Sequence, residues 1–208
     1  MVQKTACMIL CLLAGQVFAV TATSYNQCEV QEISKCDRVF TNTIRNADES
    51  QTLIDIYCNT YKVAGVDCLT SKPKCVGKII DLLRFMVLQH MILDSKLGLC
   101  PNPDRLAPLR ELVQANEKYR MKIAGLKELD ADKFEPCTAK KNLYCASRFA
   151  EEVRNGGKAF HALTKFWDCY ESKTMACDDQ IYKDYVADVK TAGKKLRDFM
   201  KAFPVLIP

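Results

Sequence analysis

Apolar residues recur along this chain at intervals of three and four, the period of a helix with one face turned to a core. Ile79, Leu82, Leu83, Met86, Val87 and the group Met91, Ile92 and Leu93 form a broad stripe, which predicts one long helix entered through Pro73. A stripe that wide predicts contacts on more than one side. Leu109, Leu112, Val113, Tyr119 and Ile123 predict a second helix, entered through Pro108 and stopped near Gly125. Ile181, Tyr185, Val189, Leu196, Phe199, Met200 and Phe203 predict a third, capped by Asp178 or Asp179. No segment alternates apolar and polar residues between turn signals as a half-buried strand does. The expected fold is all-α, about seven helices, with two related disulfide-stapled helical hairpins and additional long helices sharing a core.

Residues 1–22 carry a different pattern. One cation, Lys4, precedes the apolar run from Ala6 to Leu13, and small residues follow in Val17-Phe18-Ala19 and Val20-Thr21-Ala22. That order predicts a signal peptide, and the run is too short for a span of about 20 residues. The stretch from Val76 to Leu99 is also strongly apolar, but Lys78, Asp81, Arg84, Asp94 and Lys96 interrupt it. No membrane span is expected, and no Asn-x-Ser/Thr sequon occurs. The mature chain is expected to be soluble, secreted and extracellular.

The formal charge of +5 falls to +4 when Lys4 leaves with the leader. The remaining cations are interspersed with acids, apart from Lys140-Lys141 and Lys194-Lys195-Leu196-Arg197. A nucleic-acid footprint would need a one-sided basic stripe with aromatics between the cations. A solvated helical surface is the expected reading, with no nucleic-acid partner.

Twelve cysteines occur in the 208 residues, and Cys7 and Cys11 belong to the leader. Ten remain, an even number that suggests complete pairing in an oxidising compartment. At an offset of 109, Cys28, Cys36 and Cys68 fall on Cys137, Cys145 and Cys177, while Cys58 misses Cys169 by two positions. Phe40, Arg45 and Asn46 fall likewise on Phe149, Arg154 and Asn155. The match predicts a duplicated unit. In the second copy, Asn155-Gly156-Gly157 reads as a helix-stopping turn. Cys145 and Cys169 stand equally far from Gly157, as do Cys137 and Cys177, so two antiparallel helices would pair Cys145 with Cys169 and Cys137 with Cys177. In the first copy the turn is placed around Ala47, with Asp48 and Gln51 starting the next helix, which pairs Cys36 with Cys58 and Cys28 with Cys68. The two-residue excess predicts an irregularity near Val63-Ala64-Gly65.

Cys75 and Cys100 have no counterpart in the second copy. If one helix spans the segment between them, its ends lie about 28 Å apart, and the five residues from Lys96 to Cys100 reach back only about 17 Å. Either that helix breaks near Gln89-His90, or the two cysteines pair elsewhere, a second chain included. A disulfide-linked dimer is therefore one expected possibility.

The nested hairpins resemble the twin-cysteine helical hairpins in geometry, although the spacing there is usually nine residues rather than seven. The order Cys28, Cys36, Tyr57-Cys58-Asn59-Thr60-Tyr61, Cys68, Cys75 and Cys100 resembles secreted, cysteine-rich helical families of unknown function in invertebrates, notably nematodes. That resemblance covers roughly residues 28–100 and implies extracellular residence.

Catalytic patterns are scarce. His90 and His161 are the two histidines, and neither has a second His or a Cys at metal-ligand spacing. His90 has Asp94 one helical turn on, but it sits in the apolar stripe, where a satisfied, partly buried histidine is expected rather than a ligand or general base. No Gly-x-Ser-x-Gly elbow, phosphate-binding loop or EF-hand loop occurs. Asp104, Glu128, Asp130, Asp132 and Glu135 read as a solvated linker, and Phe166 and Trp167 as aromatic packing beside Cys169. No catalytic residue, cofactor or metal site is expected.

The chain divides into residues 1–22, a leader; 23–103, the first repeat unit; 104–134, a connecting helix and linker; and 135–208, the second repeat unit. The expected function is that of a non-enzymatic extracellular protein binding an apolar small molecule or a protein receptor, with Phe85, Met86 and Met91 as candidate apolar contacts. The alternative is a structural or venom-type secreted protein valued for durability.

Overall fold

The computed structural model describes residues 26–100, 106–116, 128–129 and 134–202. The expected leader and Asp104, Tyr119, Ile123, Gly125, Asp130, Asp132 and Phe203 lie outside the described residues. Within them the fold is all-α, with no strand.

Several helices open on a polar side chain that satisfies free backbone amides. Helix α1 (Gln27–Arg45) opens on a capping box, in which the Asn26 side chain accepts from Cys28 N–H (3.0 Å) and Glu29 accepts from Asn26 N–H (3.2 Å). Helix α2 (Leu53–Thr60) opens on the Thr52 and Asp55 box and runs directly into a π-helical segment, Tyr61–Cys68. Helix α3 spans Lys78–Lys96 without a break, and α4 spans Ala107–Ala115. Helix α5 (Pro136–Arg154) turns at Gly156, where φ is +95°, into α6 (Ala159–Glu171). Helix α7 is a rod of three pieces: Gln180–Asp188, a π segment Val189–Gly193, and Lys194–Ala202. Asp179 is its cap, accepting from Tyr182 N–H at 3.0 Å.

Helix α3 is the centre. Ile80, Phe85, Leu88 and Leu93 are fully buried on different sides of it, because α1, α2, α4 and α7 all pack against it. It starts at Gly77 rather than at Pro73. Gly77 has no side chain to cap the helix, and Glu29 of α1 does so instead, its Oε1 accepting from Ile79 N–H (2.7 Å) and Ile80 N–H (3.1 Å). A Cβ on residue 77 would lie 2.0 Å from the Glu29 carboxyl carbon, so the carboxylate's position requires glycine there. The turn before it is held by Arg84. This buried guanidinium donates to the carbonyls of Leu69 (3.0 Å), Lys72 (3.1 Å) and Cys75 (2.7 Å) and pairs with Asp81 at 2.9 Å. One buried apolar cluster runs through both halves of the chain. Between them, Phe40 of α1 meets Phe149 of α5 edge to face at 5.5 Å, and Arg45 donates to Gly156 O (2.9 Å) and Gly157 O (3.2 Å).

In the second half the bridges are Cys137–Cys177 and Cys145–Cys169, nested about the Gly157 turn. The first half differs. Cys36 is bonded to Cys68, Cys28 to Cys75 and Cys58 to Cys100, so the expected pairs Cys36–Cys58 and Cys28–Cys68 are incorrect. The cause is the position of the turn. Asp48 accepts from Ser50 N–H (2.8 Å) in a loop instead of starting a helix, and α2 begins only after Thr52. Thr52 is also the midpoint between Cys36 and Cys68, which the later turn brings together. Cys58 then faces the far end of α3, where Cys100 lies. The α3 helix does not break at Gln89-His90; Cys75 and Cys100, at its two ends, bond to α1 and α2. All ten described cysteines are thus paired within the chain, leaving none of them to link a second chain. The π segment over Tyr61–Cys68 covers the expected irregularity at Val63-Ala64-Gly65, and it brings Gly65 close enough that a Cβ there would lie 3.1 Å from Val87.

Candidate functional site

Two arrangements of polar groups stand apart from ordinary surface. The first is a knot around His90, 2% exposed on α3. Its Nε2 touches the Tyr57 hydroxyl and lies 3.2 Å from Asp94 Oδ2, while its Nδ1 lies 2.6 Å from the Tyr185 hydroxyl. Tyr57 donates to Asp94 Oδ2 (3.0 Å) and Asn142 Nδ2 donates to Asp94 Oδ1 (2.8 Å). Tyr170 in turn donates to Asn142 Oδ1. With the imidazole in its Nε2–H form, every one of these atoms is satisfied: Tyr57 gives its proton to Asp94 and accepts from His90, which accepts from Tyr185. Alongside, Gln89 bridges Asp188 and the Leu129 N–H. The knot therefore ties α2, α3, α5, α6 and α7 at one point.

The rings of Tyr61 and Phe166 close over it, with centroids 5.1 and 4.6 Å from the imidazole. Burial pushes the Tyr57, Tyr170 and Tyr185 phenols well above their ordinary range, with the Asp94 charge adding to the effect. Asp94, Asn142, Tyr57 and Tyr185 are fully buried. A general acid or base must reach the proton it moves in a bound substrate. This one is walled off by aromatic rings, and its hydrogen bonds join five helices.

The second arrangement is a cleft of about 240 Å³ between α5 and α6. Cys145, Phe149, Ala162, Phe166 and Cys169 form its apolar floor, and Lys141, Tyr144, Arg148, Glu152 and Lys165 its polar walls. Tyr144 is 48% exposed. Lys165 pairs with Glu152 at 2.6 Å, and this bond holds the Glu152 carboxyl below its ordinary range. Lys141 is 1% exposed and donates to Thr174 O. Burial lowers the pKa of its ammonium, because the charged form has lost water. A smaller apolar hollow of about 50 Å³, lined by Phe40, Tyr61, Leu83, Val87 and Leu163 among others, lies where α1, α2, α3 and α6 meet.

The remaining sequence-derived candidates are dispersed. His161 is exposed on α6, Glu135 precedes α5, and Glu128 pairs with Arg110 at 2.9 Å. Phe85, Met86 and Met91 are packed into the core and line neither hollow. Trp167 is buried against Gly193 of the α7 π segment, where a Cβ would lie 3.3 Å from the indole. Glu32, Cys36 and Cys68 come close enough to resemble a metal site, but the two sulfurs are bonded to each other and offer no thiolate. The cleft was not anticipated. Its signal was present: Lys141, Tyr144, Cys145 and Arg148 are spaced three, four and seven apart and so share one helix face.

Among the described residues no helix is long and apolar enough to cross a membrane. Comparison of the chain with protein families, with curated proteins and with solved structures finds no match.

Proposed function

We propose that this chain is a secreted, non-enzymatic binding protein whose ligand seats in a surface cleft rather than in the helical interior. The observation that carries the reading is the contrast between its two polar sites. The groups best suited to proton transfer, His90 and Asp94, are sealed at 2% and 0% exposure, whereas the α5–α6 cleft is reachable and lined by mixed chemistry. Few precise polar groups around an apolar floor are what small-molecule sites usually offer. The five disulfides support extracellular residence, since such bonds persist in oxidising surroundings. Phe85, Met86 and Met91 fill the core, so an apolar cargo carried in the interior is the less favoured form of the reading.

The same bridges favour a second reading, a secreted protein kept for durability. A thermal-shift screen of the oxidised chain against small extracellular metabolites separates the two, because a ligand that binds only the folded state raises its Tm by mass action. A saturable rise is expected for at least one compound class. Turnover of a substrate by the pure chain, or a Tm that no compound moves, would contradict the binding reading.

A further inference from the structure

The α5–α6 cleft has three cations in its wall and one carboxylate, and the carboxylate is already engaged by Lys165. Arg148 stands near enough to Glu152 for its charge to help hold that carboxyl low, after the bond from Lys165. Lys141 is the more telling group, since its ammonium carries three donors and spends one on Thr174 O, with no carboxylate beside it among the described residues. A cation held at 1% exposure without a counter-charge costs stability. The chain retains one here, beside a cavity. An anion seated in that cavity would supply the missing charge and take up the spare donors.

The floor narrows the class further. Phe149 and Phe166 lie 5.3 Å apart at the base beside the Cys145–Cys169 bridge, and exposed Tyr144 stands at the lip. These surfaces favour an aromatic or aliphatic body beneath the charged head. A cleft of about 240 Å³ has room for a single ring or short chain beneath the charged head.

We propose that this cleft binds a small organic anion, with its carboxylate or phosphate among Lys141, Arg148 and Lys165 and its apolar body on Phe149 and Phe166. The proposal rests on the reading of the chain as a binding protein. The test titrates the intact oxidised chain by calorimetry and amide-shift NMR with benzoate, phenyl phosphate, benzyl alcohol and inorganic phosphate. Benzoate or phenyl phosphate is expected to saturate with shifts centred on the cleft, and the tighter of the two identifies the head group. Benzyl alcohol, which keeps the ring and lacks the charge, is expected to bind about tenfold more weakly or worse, as is either anion to Arg148→Gln, the loss of one charge-assisted hydrogen bond. Lys141→Met, which keeps the bulk of the side chain, is expected to weaken binding as well.

Equal affinity for benzyl alcohol, inorganic phosphate binding as tightly as phenyl phosphate, shifts centred elsewhere, or an unchanged Arg148→Gln would each overturn the proposal. So would no saturable binding of either anion. If the anions fail while a neutral compound raises Tm in the wider screen, only this assignment falls; if nothing raises Tm, the binding reading falls with it.

Discussion

Four buried phenols, Tyr57, Tyr61, Tyr170 and Tyr185, decide how this core responds to alkali. Burial raises the pKa of all four above the ordinary value, because a phenolate there would be stripped of water. A pKa raised in the folded state means that the folded chain keeps its protons where the unfolded chain has lost them. The stabilisation is complete below the unfolded-state pKa of about 10 and is lost as pH rises above it, by about 1.4 kcal/mol per pH unit for each tyrosine. Phenolate absorbance from these four is expected to rise together with loss of helical circular dichroism, in one cooperative step above pH 10. Phenolates forming gradually while the helical signal stays intact would contradict the buried arrangement. The sequence made part of this knot legible: His90 and Asp94 stand one turn apart inside an apolar stripe, which pointed to a satisfied histidine. Tyr57, Asn142, Tyr170 and Tyr185 reach it from four other helices, and no local pattern records a contact made across the fold.

At the scale of elements, α3 depends on a cap from another helix. Glu29→Ala removes the acceptor for the Ile79 and Ile80 amides and the negative charge at that helix start. It is expected to cost about 1 to 2 kcal/mol, read as a lower urea midpoint at unchanged slope, with faster hydrogen exchange at those two amides. Unaltered exchange there would show that the cap holds nothing. Such a cap also explains why Pro73 misled: proline and the apolar stripe mark a helix start from local chemistry, whereas Gly77 starts this helix because the carboxylate of Glu29, on another helix, needs the space. The Asn155-Gly156-Gly157 turn and the Asp179 cap were readable, since both act within a few residues. The π segment of α2 left a trace in the extra residues between Cys58 and Cys68. That of α7 left none, because Gly193 sits in an apolar pattern that a regular helix would carry equally well.

On the scale of the whole molecule, the bridges distribute unevenly and with consequence. Two staple α5 to the segment after it, while three bind both ends of α3 and the end of the π segment Tyr61–Cys68 to α1 and α2. The central helix is thereby fixed at both ends, and the polar knot grips its middle. The all-α class followed from periodicity, and the second pair of bridges from symmetry about a glycine turn. The first three could not be read that way, because equal spacing places cysteines on a line without fixing where the chain reverses, and Thr52 rather than Ala47 marks that point. Non-reducing proteolysis of the oxidised chain, with mass spectrometry of the linked peptides, tests this framework most directly. The expected map is Cys28–Cys75, Cys36–Cys68, Cys58–Cys100, Cys137–Cys177 and Cys145–Cys169, all within one chain. Peptides linking Cys36 to Cys58, or any bond between two chains, would contradict it.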